Sequence, residues 1–233
     1  MEKNKLIITA DGSHTIYVPN LNEHYHSVNG AIQEAKHVYI EAGLNQCTLP
    51  AISVLEIGFG TGLDALLTCM EADKRNIQIK YTGIEKHPLP EEIHSQLNYP
   101  GYFEGEFIDH TRIETLFRKI HQATWGEWLA ITPLFSANKI ETDIRTYTLP
   151  DAYDVVYYDA FGPDKQPEVW SQEIFDKLFA AMNPEGILTT YCAKGEVRRM
   201  LLRAGFSTER IPGPPGKRQM LRAKKMKSQG QRI

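Results

Sequence analysis

Four carboxylates and a cluster of glycines are the residues of this chain whose types and spacing suit chemistry. The run Glu56-Ile-Gly58-Phe-Gly60-Thr-Gly62 sets an acid two residues before a G-x-G-x-G turn. Glycine has no Cβ, so such a turn lets the chain bend sharply and lets a ligand approach the backbone, while the helix that follows offers free N–H groups. The dinucleotide fingerprint spaces its glycines G-x-G-x-x-G; the shorter spacing here points to an adenosylmethionine site and away from a nicotinamide dehydrogenase. Glu85 lies 23 residues past Gly62. At the end of the next strand, its carboxylate can accept hydrogen bonds from both ribose hydroxyls, each worth roughly 1.5–3 kcal/mol. Asp143 should follow a further strand, where such sheets place an acid beside adenine; a loop acid paired with Arg145 is the plainer reading.

Asp159-Ala-Phe161-Gly-Pro163 is the second focus. A carboxylate at the tip of a central strand, followed by an aromatic and a proline-bent turn, stands where a sulfonium methyl would meet its acceptor. If the acceptor is a primary amine with a pKa near ~10.4, freeing its lone pair at pH 7 costs about 4.6 kcal/mol, and Asp159 is suited to orient the amine and take its proton. The same carboxylate stabilises the ammonium form, so burial of the amine has to offset that. Alignment of nitrogen, methyl carbon and sulfur supplies most of the rate in either case. A cap on the following turn is the purely structural role open to Asp159.

These residues need elements to hold them. A short apolar run over 51–57, bounded by Pro50 and Gly58, predicts a buried strand. Leu63, Leu66, Leu67 and Met70 recur at helical spacing straight after the glycines, and 78–84 predicts a second strand that ends at Glu85. Ile113, Leu116, Phe117 and Ile120 predict a helix, and 129–135 with 139–147 a hairpin about Ser136-Ala-Asn138. A strand over 153–158, a helix over 171–182 capped by Ser171, a strand over 186–192, a helix over 196–204 ended by Gly205, and strands over 206–211 and 218–223 complete the pattern. Strands alternating with helices imply an α/β domain with a largely parallel sheet and ligands beyond the carboxyl ends of its strands. Ahead of it, 5–18 reads as a β-hairpin about Asp11-Gly12, two positions that tolerate positive φ. Ala31, Ala35, Val38 and Ala42 read as a helix stopped by Gly43. The chain therefore divides into an N-terminal hairpin and helix extension, 1–45, and a main adenosylmethionine-dependent domain, 46–233.

The net charge of -3 hides an asymmetry. From Lys194 onward there are twelve Lys/Arg against two Glu, while acids dominate the rest. Such a tail suits a polyanion, because phosphate contacts supply most non-specific nucleic-acid affinity; a solvated helix face is the other reading. Cys47, Cys69 and Cys192 are too scattered for a metal-ligand set and read as small core residues in a reducing compartment. No metal is expected. No stretch reaches ~20 consecutive apolar residues, and Met1 leads into only a short apolar run, so the chain is expected to be cytoplasmic and free of the membrane.

The motifs LEIGFGTGLDALL (55–67), GIEKHPL (83–89), YDAFGPDKQPEVW (158–170), AKGEVRRMLLRAGF (193–206) and PGPPGKRQML (212–221) occur in order, with HYHS near the N-terminus. Through these motifs, in a match that covers nearly the whole chain, it resembles the methyltransferase domain of the bacterial tRNA-modifying MnmC proteins, known in stand-alone form as MnmD. The resemblance implies a class I methyltransferase, Rossmann-like α/β sheet, mostly parallel with its last strand antiparallel. It implies an enzyme that uses S-adenosyl-L-methionine to methylate the 5-aminomethyl group of the wobble uridine of tRNA, giving 5-methylaminomethyl-2-thiouridine or its oxygen analogue. Carried over by position, Glu56, Gly58, Gly60, Gly62 and Glu85 would bind the cofactor. Asp159 would sit at the methyl-transfer centre, with Phe161 and Pro163 shaping the pocket. Tyr25, His26 and Ser27 match the family's motif near the modified base, and Lys217 and Arg218 its closing basic pair, which would face phosphate or the base. Two-domain members add a flavin-dependent oxidoreductase that removes a carboxymethyl group. This sequence ends before such a domain, so the aminomethyl precursor is expected to come from other enzymes in trans.

Arg198, Arg199, Arg203 and Arg222 would flank that site, and Tyr25, Phe161 or Trp170 would stack on a flipped base, although Trp170 suits the core slightly better. Polyamine synthases share the fold and an acid-bearing loop after the fourth strand, which makes an aminopropyl transferase the nearest enzymatic rival. It would use decarboxylated adenosylmethionine and a diamine, and would not need the basic tail. A non-catalytic nucleotide- or RNA-binding module that kept the glycine loop is a third reading, and the Asp159 motif argues against it.

Overall fold

Apolar runs and amphipathic stretches alternate along this chain, and each finds its place in a computed structural model that describes residues 3–103, 110–150 and 152–227. The chain begins with a small antiparallel sheet, β1 (Lys5–Ile8), β2 (His14–Val18) and β3 (Glu23–His24), and a helix, α1 (Ala31–Ala35), that continues as a π-helical turn over Lys36–Glu41. Next come β4 (Ala51–Ile57), α2 (Leu63–Arg75), β5 (Gln78–Glu85), the short α3 (Glu91–His94) and α4 (Tyr99–Tyr102), and α5 (His110–Gln122). The second half runs β6 (Trp128–Ala130), β7 (Phe135–Glu141), β8 (Tyr153–Tyr158), α6 (Gln172–Ala181), β9 (Met182–Thr190), α7 (Gly195–Ala204), β10 (Ser207–Pro212) and β11 (Gln219–Lys224).

Among the described residues the main sheet has eight strands in the order β10-β11-β9-β8-β4-β5-β7-β6. Its central pairings, β7 with β5, β5 with β4, β4 with β8 and β8 with β9, are parallel. The last strand, β11, runs antiparallel to both β9 and β10, and β6 runs antiparallel to β7 at the opposite edge. From β4 the chain adds strands first to one side and then, with β8, to the other. That reversal opens a crevice at the carboxyl ends of β4 and β8, where open α/β sheets bind ligands.

Helices cover both faces, which is why β4 and β8 are apolar nearly throughout. On one side Leu63, Leu66, Tyr81, Ile120, Phe135 and Tyr157 share a core with Ile16, Ile32, Val38 and Tyr39 of the N-terminal segment. On the other, Val156, Tyr158, Trp170, Phe175 and Leu201 pack together. Each large apolar side chain so buried contributes about 1.5–3 kcal/mol. Cys47, Cys69 and Cys192 are free thiols in these interiors.

Several local expectations are corrected. The turn between β6 and β7 falls at 131–134, and Ser136-Ala-Asn138 lie inside β7. Phe135, Ala137 and Lys139 are buried while Ser136 and Asn138 are half-buried, so the polar residues mark strand alternation. The N-terminal hairpin closes through a longer loop in which only Gly12 has positive φ. Asp11 acts there through its carboxylate, accepting from Thr9 Oγ1 at 2.7 Å, Ser13 N at 2.9 Å and Gln33 N at 3.1 Å. The helix over 31–42 widens at Lys36, with Ala42 N donating to His37 O at 3.2 Å, five residues back. β9 starts directly at the end of α6 and stops at Thr190, and Ser171 occupies the N-cap of α6 without a side-chain bond to it.

Candidate active site

The carboxyl ends of β4, β5 and β8 open on a cavity of about 700 Å3. Its floor is the glycine loop, pinned to β5 because Ile84 O accepts from Gly58 N at 2.9 Å and from Phe59 N at 3.1 Å. Two of its glycines are required sterically. A Cβ on Gly58, whose φ is +95°, would stand 2.6 Å from the Asp159 carbonyl oxygen, and one on Gly60, at φ +47°, would stand 2.9 Å from the Tyr25 ring. Gly62 lies just behind the cavity wall, at the N-cap of α2.

Carboxylates ring this floor. At the tip of β5, Glu85 Oε2 accepts from Gly60 N at 3.0 Å and Oε1 from His87 N at 2.8 Å, which locks the group beside the loop. Asp143, beyond β7, is gripped by Arg145, with Nη2 at 2.6 Å, and by Lys86 at 3.1 Å. The Arg145 guanidinium holds its carboxyl well below the usual range. Glu56, at 1% exposure, has an Oε2 with no hydrogen-bond partner. Burial pushes Glu56 well above the usual carboxylate range, and the charges of Asp159 and Glu85 add to that.

Asp159 follows β8 directly, its N–H donating to Ile57 O at 2.9 Å. Its carboxylate accepts a short hydrogen bond from the hydroxyl of Tyr39, a fully buried residue of the π-helical turn. Burial pushes Asp159 well above the usual range; the Tyr39 bond pulls it back, Glu34 pushes it up and Lys217 pulls it down. Burial likewise raises Tyr39, so its hydroxyl remains a donor at neutral pH.

Aromatic rings and the N-terminal segment form the walls. Tyr25 and Phe161 meet edge to face with centroids 4.9 Å apart. Trp170, 4% exposed, is core, and its Nε1 donates to Phe161 O at 2.7 Å. Pro163 faces a separate groove with Trp170, Arg199 and Arg203. His26 is buried against Thr61, Nε2 to Oγ1 2.7 Å, and burial pushes it down to about 4, so it is neutral at pH 7. Ser27 N donates to Glu34 Oε2 at 2.7 Å, while Glu34 Oε1 accepts from Lys217 Nζ at 2.7 Å. Lys217 also sits over the Tyr191 ring, 3.9 Å from its centroid. It is thus tied to a buried acid and an aromatic face, whereas Arg218 is exposed and outside the cavity lining.

Sequence reasoning missed Glu34, Tyr39, Asp64 and Tyr191, which also belong to this constellation. Tyr39 reads as one more apolar position of a helix, and Glu34 as a solvated one. Asp64 gave a usable signal, an acid flanked by Leu63, Ala65, Leu66 and Leu67 in an otherwise apolar helix start.

A family model described as S-adenosyl-L-methionine-dependent methyltransferase matches residues 118–226. The tRNA 5-methylaminomethyl-2-thiouridine biosynthesis bifunctional protein MnmC of Burkholderia thailandensis is 30% identical over 240 residues, covering 93% of this chain and 34% of that protein. Its counterpart in Burkholderia mallei is 31% identical over 236 residues, with the same coverage of 93% and 34%. The chain therefore spans about a third of the length of these relatives. Among solved structures, MNMC2 from Aquifex aeolicus superposes with a TM-score of 0.74 at 24% identity, over 96% of this chain and 70% of that one. Spermidine synthase from Thermotoga maritima gives 0.54 at 12% identity, over 97% and 72%. Both are likenesses of fold.

Proposed function

We infer that this chain, an MnmC-like S-adenosylmethionine-dependent methyltransferase, methylates the primary amine of a 5-aminomethyl wobble uridine in tRNA, giving the 5-methylaminomethyl nucleoside, 2-thiolated or not. The observation that carries this reading is Asp159, recessed at the tip of β8 and held by Tyr39, in one cavity with the glycine loop and the Tyr25–Phe161 pair.

The residues present fit the cofactor. Gly58 and Gly60 leave a cradle that any Cβ would crowd, Glu85 keeps a free lone pair on each oxygen for ribose hydroxyls, and Asp143, although paired with Arg145 and Lys86, also lines the cavity. The unpartnered oxygen of Glu56 suits a cation. When bound, S-adenosylmethionine supplies an electrophilic methyl group on a sulfonium centre. Asp159 would accept an N–H of the substrate amine, aim its lone pair, and take the proton the amine loses as the methyl group leaves sulfur, which keeps the electron pair as a neutral thioether. The hydrogen bond from Tyr39 opposes the upward push of burial on Asp159 and so favours its carboxylate, the acceptor form. Tyr25 and Phe161 offer ring faces to a base turned out of its stack. Exposed Arg199 and Arg218 would meet phosphate.

An activity that forms the aminomethyl group must act first, in cis or in trans, and a tRNA substrate would place the protein in the cytoplasm. We also propose that 1–45 serves as an extension of the 46–233 domain, since Ile16, Ile32 and Tyr39 share a core with α2. Incubation with labelled S-adenosylmethionine and tRNA from cells lacking this gene tests the function. Label should appear in 5-methylaminomethyl uridine; label on putrescine instead, or on no nucleoside, would refute it. Asp159→Asn should lower the transfer rate by roughly 100-fold or more while tRNA binding persists. An unchanged rate would remove Asp159 from the chemistry.

A further inference from the structure

Asp64 has no task in the reading above. It lies in the first turn of α2, directly after the glycine loop, among buried apolar neighbours. The residue is 1% exposed, and neither Oδ1 nor Oδ2 has a hydrogen-bond partner among the described residues. It nevertheless lines the cavity. A desolvated, unpaired carboxylate is a costly thing for a fold to hold, and it persists where a ligand completes its bonding.

Four further acids of the cavity are served. Glu34 has Lys217 and Ser27 N, Asp143 has Arg145 and Lys86, Glu85 has two backbone amides, and Asp159 has Tyr39. Among the buried side-chain oxygens of the cavity's acids, Glu56 Oε2 and both oxygens of Asp64 have no partner. Burial pushes Asp64 well above the usual carboxylate range, and so do the charges facing it, those of Asp159, Glu56 and Glu34. Lys217, a basic residue of the cavity lining, is already bound to Glu34. The cavity thus has surplus negative charge and unused acceptors at one place, which is complementary to a small cation bearing several N–H donors.

We propose that Asp64 receives a primary alkylammonium group bound in this cavity. The inference rests on the adenosylmethionine reading, because the amino-acid end of that cofactor carries such a group and the aminomethyl nucleoside carries another. Its position on the turn that follows the glycine loop, with Glu56 beside it, favours the cofactor's ammonium. An Asp64 that holds a proton in the free protein must lose it to pair with the ammonium, so ligand binding at this site strengthens as pH rises through the raised pKa.

The test is calorimetric binding of S-adenosylhomocysteine and of 5′-methylthioadenosine, which lacks the amino-acid end, to the full chain and to its Asp64→Asn variant. The variant should bind S-adenosylhomocysteine roughly 10- to 100-fold more weakly, with a flattened pH dependence, and bind 5′-methylthioadenosine as before. At pH above the raised pKa of Asp64 the variant's Tm without ligand should exceed that of wild type, since an unpaired buried charge has gone. If S-adenosylhomocysteine binding holds but an anticodon-loop RNA bearing aminomethyl uridine loses its advantage over the same RNA with plain uridine, the ammonium is the substrate's and the site stands. Unchanged binding of all ligands overturns the proposal, as does a parallel loss of both nucleosides with a lower Tm. A wild-type chain that binds neither nucleoside sinks the cofactor reading itself.

Discussion

Tyr39 reaches Asp159 from the N-terminal extension, and its hydroxyl opposes the upward push of burial on that carboxylate. Tyr39→Phe removes this opposition, so the Asp159 pKa moves further up and the acid limb of the kcat/KM profile shifts to higher pH. Near neutrality the rate should fall roughly 10-fold, the worth of one hydrogen bond to a charged group; a pH–rate profile that coincides with wild type would count against the role. Stability carries the opposite signature at Asp64. Its folded pKa lies above the ordinary 3.8, so the proton-linked stability is complete below that value and is lost as pH rises through the folded pKa. Thermal melts of wild type and Asp64→Asn should therefore converge at acid pH and separate toward neutrality, with the variant higher. Asp159 was legible in the sequence as the residue at the end of an apolar run. Asp64 left a signal as an acid in an apolar helix start, but Glu34 and Tyr39 left none, because a helical repeat tells core from surface but does not tell which buried group faces a cavity.

At the scale of elements, the glycine loop is wedged between β8 and the N-terminal segment. Gly58→Ala would set a Cβ 2.6 Å from the Asp159 carbonyl oxygen at a φ of +95°. We expect S-adenosylhomocysteine binding to fall below detection and the urea midpoint to drop; retained binding would show that the loop has room to yield. Among the strands flanking this loop, β4 and β8 could be read from the sequence because each is a largely apolar run closed by glycine or an acid. The β6–β7 turn could not, since Ser136 and Asn138 are polar for reasons of strand alternation that imitate a turn. The π-helical widening also escaped notice, because Ala31, Ala35, Val38 and Ala42 satisfy an ordinary helical repeat.

The whole molecule is acidic in its bulk and basic from Lys194 onward. Lys217 is half-buried and tied to Glu34 and Tyr191, so contacts with a polyanion fall chiefly to exposed residues such as Arg199 and Arg218. Arg199→Glu with Arg218→Glu should weaken tRNA binding and reduce the slope of log K against log salt by about 1–2. An identical slope would assign the basic tail no part in RNA contact. The α/β class was legible from the alternation of elements, but the strand order was not, because order is decided by which crossovers pack rather than by any one segment. The π-helical turn over Lys36–Glu41 governs the phase between the extension and the rest of the chain. An α-helix advances about 100° per residue, so losing a single residue there would swing the Tyr39 hydroxyl off Asp159 by more than a quarter circle. Length changes in this helix are therefore tolerable only in multiples that restore its phase, which makes the segment a ruler as well as a wall.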